Sequence, residues 1–363
     1  MLGLEIKQES LVGDLANVRS ASLVLFMAIG GMLVPAGIYV LIADSGDALR
    51  GWGIPMATDT AFALAILTLL NDKVPRSLAV ILSALAIVDD MGAVMVISIF
   101  YTEQIDLIAL VIAFMVLTIL FVGNTLGIRN ALFYATGGIL LWWFILHSGV
   151  HATTAGILLA LTIPTRAYAE KGWFIRQMRR LVNRFEAIDE PKQSIFKKNN
   201  QHELAEQAHQ IAIKSTTPLQ HWSSLLDRPI SLTILPLFAF LNAGVAITSQ
   251  SFTMTGSSVM LATGAGLVIG KVIGITLFAW ICLRLKISQL PQEITFTHIT
   301  GLGLLAGIGF TMSLFISALA FENHPILLGQ AKLGILIGSL VAGILGALVL
   351  LIANKATSRS VNN

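Results

Sequence analysis

Apolar stretches, most of 18 residues or more, alternate with short polar runs along nearly the whole chain. About 20 helical residues cross a hydrocarbon core, so such stretches read as membrane spans. Ten are predicted, at 20–43, 50–71, 77–101, 105–123, 131–147, 149–164, 229–248, 258–283, 298–320 and 330–353. Only Ser148 to Val150 separate the histidines, His147 and His151, at the boundary of the fifth and sixth.

Two spans are interrupted. In the second, Gly51, Gly53 and Pro55 precede the polar patch Ala57-Thr58-Asp59-Thr60, and in the ninth Gly301, Gly303, Gly307 and Gly309 precede Thr311 and Ser313. Glycines in apolar helices serve close packing, but matching interruptions in two halves of a chain also mark discontinuous helices around a midplane site. Spans 1–3 and 8–10 each carry their interruption in the middle member and enter the membrane from opposite sides. The fold class predicted is therefore an all-α polytopic membrane protein, an inverted-repeat transporter with two discontinuous, crossed helices.

The predicted organisation is a cytoplasmic N-terminal segment (1–19), a first three-helix repeat (20–101) and connecting helices (102–164). A basic cytoplasmic loop (165–228), an interface helix with an outer loop (229–257), a second three-helix repeat (258–354) and a cytoplasmic tail (355–363) follow. With alternating spans, all of the 23 Lys and Arg except Arg50, Lys271 and Lys332 fall on one face. The positive-inside rule makes that face cytoplasmic, places both termini inside and accounts for the formal charge of +3 without a nucleic-acid partner. Residues 1–19 are polar and lack the pattern of a cleaved signal peptide. Within the basic loop, Phe174, Met178, Leu181, Phe185 and Ile188 recur at helical spacing, with Arg176, Arg179, Arg180 and Arg184 on other faces. This is a basic amphipathic helix suited to anionic headgroups, in what is otherwise a flexible loop.

Composition narrows the chemistry. At 55% hydrophobic and 12% charged residues the chain is unlike a soluble domain, and its single cysteine, Cys282, excludes an intramolecular disulfide. Four ionisable residues lie deep in the spans: Asp59, Asp89, Asp90 and Lys271. A charge at mid-bilayer costs about 2.5–3.5 kcal/mol on insertion scales, so the adjacent pair Asp89-Asp90 calls for a purpose. Successive helical residues point about 100° apart, so the two aspartates have different partners. One faces a cation cavity and the other approaches Lys271. Carboxylate oxygens suit a hard cation, and Na+ and protons competing for them is antiport in its simplest form. A hydrogen-bonded pair that only holds helices together is the structural alternative. For Asp59, capping of a helix break and direct ligation both fit. The i, i+4 spacing of His147 and His151 suits both rings on one helix face; interfacial hydrogen bonding fits the two, and a pH response fits His151, since imidazole titrates near neutrality.

The motifs Gly3-Leu-Glu-Ile-Lys, Ala57-Thr-Asp-Thr-Ala-Phe-Ala-Leu, Leu85-Ala-Ile-Val-Asp-Asp, Ser148-Gly-Val-His-Ala-Thr, Leu235-Pro-Leu-Phe-Ala-Phe, Asn242-Ala-Gly-Val, Gly270-Lys and Gly307-Ile-Gly-Phe-Thr-Met-Ser occur in this order. In them the chain resembles the NhaA family of Na+/H+ antiporters, a family that serves as a standard example of inverted repeats. The resemblance implies a multi-pass protein of the bacterial inner membrane that expels Na+, and Li+ as well, against inward H+, electrogenically and under pH control. It implies Asp89 and Asp90 as the Na+ and proton site, with Asp89 toward Lys271 and Asp90 nearer the cation. Asp59 and Lys271 would compensate charge at the broken helices, and Glu5, Glu9 and His151 match positions tied to pH response. No resident cofactor and no enzymatic activity are expected.

Three departures stand out. The chain begins at what resembles the end of the family's second helix, so the first two helices and the hairpin that supports a homodimer are expected to be missing. Gln8 stands where a basic residue is usual, and the run before Leu235 lacks the usual His-Pro-Trp. Alternatives are an N-terminally truncated, non-transporting fragment, a sodium-coupled symporter of an organic anion, and an intramembrane aspartyl protease using Asp59 and Asp90. The protease lacks its Gly-x-Gly-Asp sequence.

Overall fold

The computed structural model describes residues 2–12, 18–70, 74–101, 105–165, 171–186, 199–244, 257–291 and 293–361, and these are helical with no strand among them. The elements are α1 (Leu2–Val12), α2 (Val18–Ile42), a 3-10 helix (Gly46–Met56), α3 (Thr60–Leu69), α4 (Arg76–Phe100), α5 (Leu107–Thr125), α6 (Ala131–His147) and α7 (Thr153–Thr162). After them come α8 (Lys171–Glu186), α9 (Asn199–Ser215), α10 (Pro218–Pro229), a π turn (Ile230–Ile234) and α11 (Leu235–Asn242). The last group is α12 (Ser258–Ala265), a second π turn (Gly266–Gly270), α13 (Lys271–Arg284), α14 (Phe296–Ala306), α15 (Phe310–Ala320) and α16 (Pro325–Val361).

Helix covers part or all of each of the ten apolar segments. Among the described residues six helices, counting α10 to α11 and α12 to α13 each as one, are long and apolar enough to cross a membrane, and the two interrupted spans are bent pairs, by 42° at 57–59 and 47° at 307–309. Ala131–His147 and Thr153–Thr162 are shorter apolar helices. Large apolar side chains such as Leu41, Ile99, Ile108 and Phe240 point outward, which suits a hydrocarbon surrounding.

Two packing bodies follow from the buried side chains. The trios α2/broken pair/α4 and α12–α13/broken pair/α16 share one core that includes Met27, Leu82, Ile275 and Leu305, and a second that includes Ile54, Leu267, Leu314 and Ile335. Helices α1, α5, α6, α7 and α10 share another, with Leu4, Leu120, Leu141, Ala160 and Leu219. Helix α4 joins the bodies through a 3.0 Å hydrogen bond between Ser98 and Thr154.

Small residues set the closest approach. Where α2 meets α13, a Cβ on Gly30 would run into the Gly274 carbonyl, and one on Gly274 into that of Gly30. Backbones at this separation pack by dispersion in a solvent that offers no hydrophobic drive. One turn away, Gly270 lies on Pro35 of α2 and Gly266 on Pro55, and the π turn between these glycines delivers Lys271 to the interior.

Two regions differ from the sequence reading. The segment 165–228, read as a loop with one helix, contains three helices over its described residues, and α10 starts at Pro218 because Thr217 and Gln220 form a capping box there. Ile188 lies outside the described residues. His147 and His151 do not share a helix face: Gly149, at φ +83°, turns the chain between α6 and α7.

Candidate ion-binding site

Both helix breaks, the centre of α4 and the start of α13 come together at four buried or partly buried charges. Asp59 is 3% exposed, Asp89 1% and Lys271 0%.

Asp59 ends the first break as the N-cap of α3, its Oδ1 accepting from the Phe62 amide at 3.3 Å. Its other oxygen, Oδ2, accepts from the amide and hydroxyl of Thr311 in the first turn of α15, at 3.0 and 2.6 Å. One carboxylate thus serves the N-termini of two half-helices, each equivalent to about half a positive charge. The Asp59 amide donates to the Ile308 carbonyl at 2.6 Å, which ties the two breaks backbone to backbone.

Across the site, Lys271 Nζ pairs with Asp89 Oδ2. Thr58 Oγ1 lies 2.6 Å from the same Oδ2 and 2.8 Å from the carbonyl of Ala306, the last residue of α14. One hydroxyl proton serves one acceptor at a time, so Thr58 can turn between the carboxylate and the helix end. Asp90, one residue on, points elsewhere on α4, as the 100° rotation requires. Asp89 Oδ1 and Asp90 Oδ1 are both buried with no hydrogen-bond partner in the structure. A buried carboxylate oxygen left so is costly unless a proton or a cation joins it.

The charge balance isolates Asp90. Asp59 is matched by two helix N-termini and Asp89 by Lys271, which leaves Asp90 without an opposite charge of its own among the described residues. Asp89 Oδ1 and Asp90 Oδ1 are each a hard, anionic donor of the kind a small cation takes. Among the described residues there is no cluster of three His, Cys, Asp or Glu that would fix a resident metal.

The residues that the resemblance links to pH response gather around α1 and α7, with Glu5 near enough to Asp90 for their charges to interact. Glu5 and Lys7 sit on α1, which packs on α7; Lys7 Nζ donates to the carbonyls of Leu161 and Ile163 at 2.6 Å each. Burial lifts the Glu5 carboxyl above the ordinary range, Asp227 adds to that push, and burial lowers Lys7. Glu9 follows on the same helix. His151 accepts from or donates to Thr153 Oγ1 at 2.9 Å and meets Phe315 edge-on, while His147 bonds the Trp143 carbonyl at 2.8 Å. Sequence reasoning did not assign roles to Thr58, Thr311 or the Ala306 carbonyl. The signal for the two threonines was their position inside or directly after the interruptions.

The sequence model of the family described as Na+/H+ antiporter 1 matches residues 1–350. Among curated proteins, a Na+/H+ antiporter NhaA 1 of Pseudoalteromonas atlantica is 58% identical over 98% of this chain and 76% of its own length. A Na+/H+ antiporter NhaA 2 of Psychromonas ingrahamii is 43% identical over 100% of this chain and 77% of its own, and an NhaA of Dichelobacter nodosus 45% over 95% and 75%. With a family match over almost its whole length, this chain belongs to the Na+/H+ antiporter 1 family.

Proposed function

We propose that the protein exchanges Na+ for H+ across the bacterial inner membrane, using the Asp89–Asp90 pair as one site for both. The observation that carries this reading is the pair of buried, unpartnered oxygens, Asp89 Oδ1 and Asp90 Oδ1, beside the buried Lys271. Such a site is stable when protons or a cation fill it and unfavourable when empty. Na+ bound at these carboxylates excludes protons from them; on the opposite side, protons take the carboxylates back.

Lys271 holds Asp89 in the absence of another cation. Arriving Na+ competes for that carboxylate and weakens its pairing with Lys271, while Thr58 turns its hydroxyl toward Ala306 or Asp89 as the charge changes. Asp59 stays partnered by both half-helices and keeps the breaks together through the cycle. Na+ takes the place of the proton on Asp90 and of the one that Lys271 shares with Asp89 in their pair, so two protons replace one Na+ and one net charge moves per turnover. The exchange is then electrogenic, and the membrane potential supplies about 2.3 kcal/mol per charge at 100 mV.

Li+, a smaller cation of the same hardness, shares the site. Glu5, Glu9 and His151 regulate it by pH from the α1/α7 region, and both termini lie in the cytoplasm. The basic residues gathered on one face support this orientation.

Na+-driven proton movement in everted vesicles tests the proposal. Asp89→Asn and Asp90→Asn should each lower apparent Na+ affinity at least about tenfold, the equivalent of one lost charge-assisted contact. Retention of the parent Na+ dependence by both variants contradicts the site.

A further inference from the structure

Helix α8 presents two unlike surfaces. Leu181 is buried where α8 packs on α9, and Phe174 and Met178 are partly covered beside it. Ile175 and Val182 instead stand 44% and 47% exposed. Seven residues apart, they lie about 20° from one another around the axis, with Arg179 next to them and Arg176 and Arg180 further round. All three arginines are exposed.

We propose that the face of α8 running from this Ile175/Val182 strip through Arg179 to Arg176 and Arg180 docks on anionic phospholipid of the membrane the chain spans. An exposed β-branched pair is too small an apolar surface to hold a helix on a bilayer alone. Arginines at its edge supply the rest, since their long stems cross the headgroup layer while the guanidinium forks meet phosphate.

Charge separates this face from the neighbouring one. The outward residues of α9 include Glu203, Glu206, His209 and Gln210, and Lys214 is its one lysine or arginine, whereas α8 carries Lys171, Arg176, Arg179, Arg180 and Arg184 against one acid, Glu186. The hairpin therefore has a cationic side and an acidic or neutral side, so an anionic surface orients it with α8 toward the lipid. Reach allows it: α7 ends at Thr162 and α8 begins at Lys171, and the eight residues between span at most about 28 Å. At its other end the hairpin is fixed to the bundle through α10, where Leu219 is buried and Trp222 meets Tyr134 edge-on.

Docking of α8 is independent of whether the protein exchanges Na+. Its test is collisional accessibility of a nitroxide on Val182→Cys in the full chain carrying Cys282→Ser. The protein is reconstituted into phosphatidylcholine vesicles with and without phosphatidylglycerol, and Glu206→Cys on α9 serves as control. In anionic vesicles the Val182 label should gain contact with oxygen and lose contact with a water-soluble nickel chelate. The control label should not change, and neutral lipid or added salt should reverse the effect. Replacing Arg176, Arg179 and Arg180 with Gln should reduce the docked-to-free ratio by about a hundredfold, at roughly fivefold per arginine near an anionic surface. Equal accessibility of Val182 in the two lipids overturns the proposal, as does protection that persists in the triple Gln variant.

Discussion

The two helix breaks occupy matching places in their trios yet do different work. The first, 57–59, is built from side chains: Thr58 reaches Asp89 and Ala306, and Asp59 caps α3 and α15. The second, 307–309, is built from backbone: Ile308 accepts from the Asp59 amide, and the glycines on each side leave room for neighbours. A Cβ on Gly307 would run into the Leu267 carbonyl, and one on Gly309 would meet Ser313 Oγ and, at 3.0 Å, the Ala57 carbonyl. One break supplies charge and the other supplies space. An inverted repeat can thus keep its geometry in both halves while placing its chemistry in one.

The contrast is broken most severely from the second side. Gly307→Val forces a side chain against a backbone carbonyl that cannot swing away, so the folded protein should lose about 1–3 kcal/mol or more. Thermal unfolding in detergent should show a marked fall in midpoint, with Na+ dependence unchanged in whatever fraction stays folded.

The first side is tested by separating charge from shape. Asp59→Ala removes acceptors from two helix N-termini, each cap being worth about 1 kcal/mol, and should lower the unfolding midpoint. Asp59→Asn keeps an acceptor oxygen and should cost less stability, while leaving the half-helix N-termini without their countercharge. Transport in everted vesicles should then slow in Asp59→Asn with the fold retained. Equal stability of the Ala and Asn variants contradicts the capping role.

The smallest effect lies away from both breaks. Glu5 has a raised pKa in the folded chain, so the native state holds this proton more tightly than the unfolded one does. Its cost is absent at pH below the ordinary carboxylate range and grows as pH rises through that range toward the folded value. Glu5→Gln should therefore gain stability relative to the parent on going from acid to neutral pH, by about 0.5 kcal/mol, the usual scale outside tightly packed cores. A pH series of unfolding midpoints measures it.

How much of this the sequence discloses follows from the range of each interaction. Span positions are local, because hydrophobic length alone decides them, and helix covers part or all of each apolar segment. The breaks announce themselves through Gly51-Trp-Gly-Ile-Pro and Gly307-Ile-Gly, residues that helices in lipid use at bends and close contacts. Separation of Asp89 from Asp90 follows from helix rotation. The choice of Lys271 for Asp89 does not, since it depends on α2, whose Gly30 and Pro35 fix how closely α13 approaches. Nor does the double cap by Asp59, whose second partner is 252 residues away. The i, i+4 reading of His147 and His151 failed because one glycine at positive φ outweighs a spacing rule.

Proton release on Na+ binding tests the shared site most directly, by calorimetric titration of the purified protein with NaCl in buffers of different ionisation enthalpy. If Asp89 and Asp90 hold protons and Na+ by turns, binding liberates protons, and Asp90→Asn reduces or abolishes that release. Na+ binding without proton release, or release unchanged in Asp90→Asn, would place the exchange elsewhere.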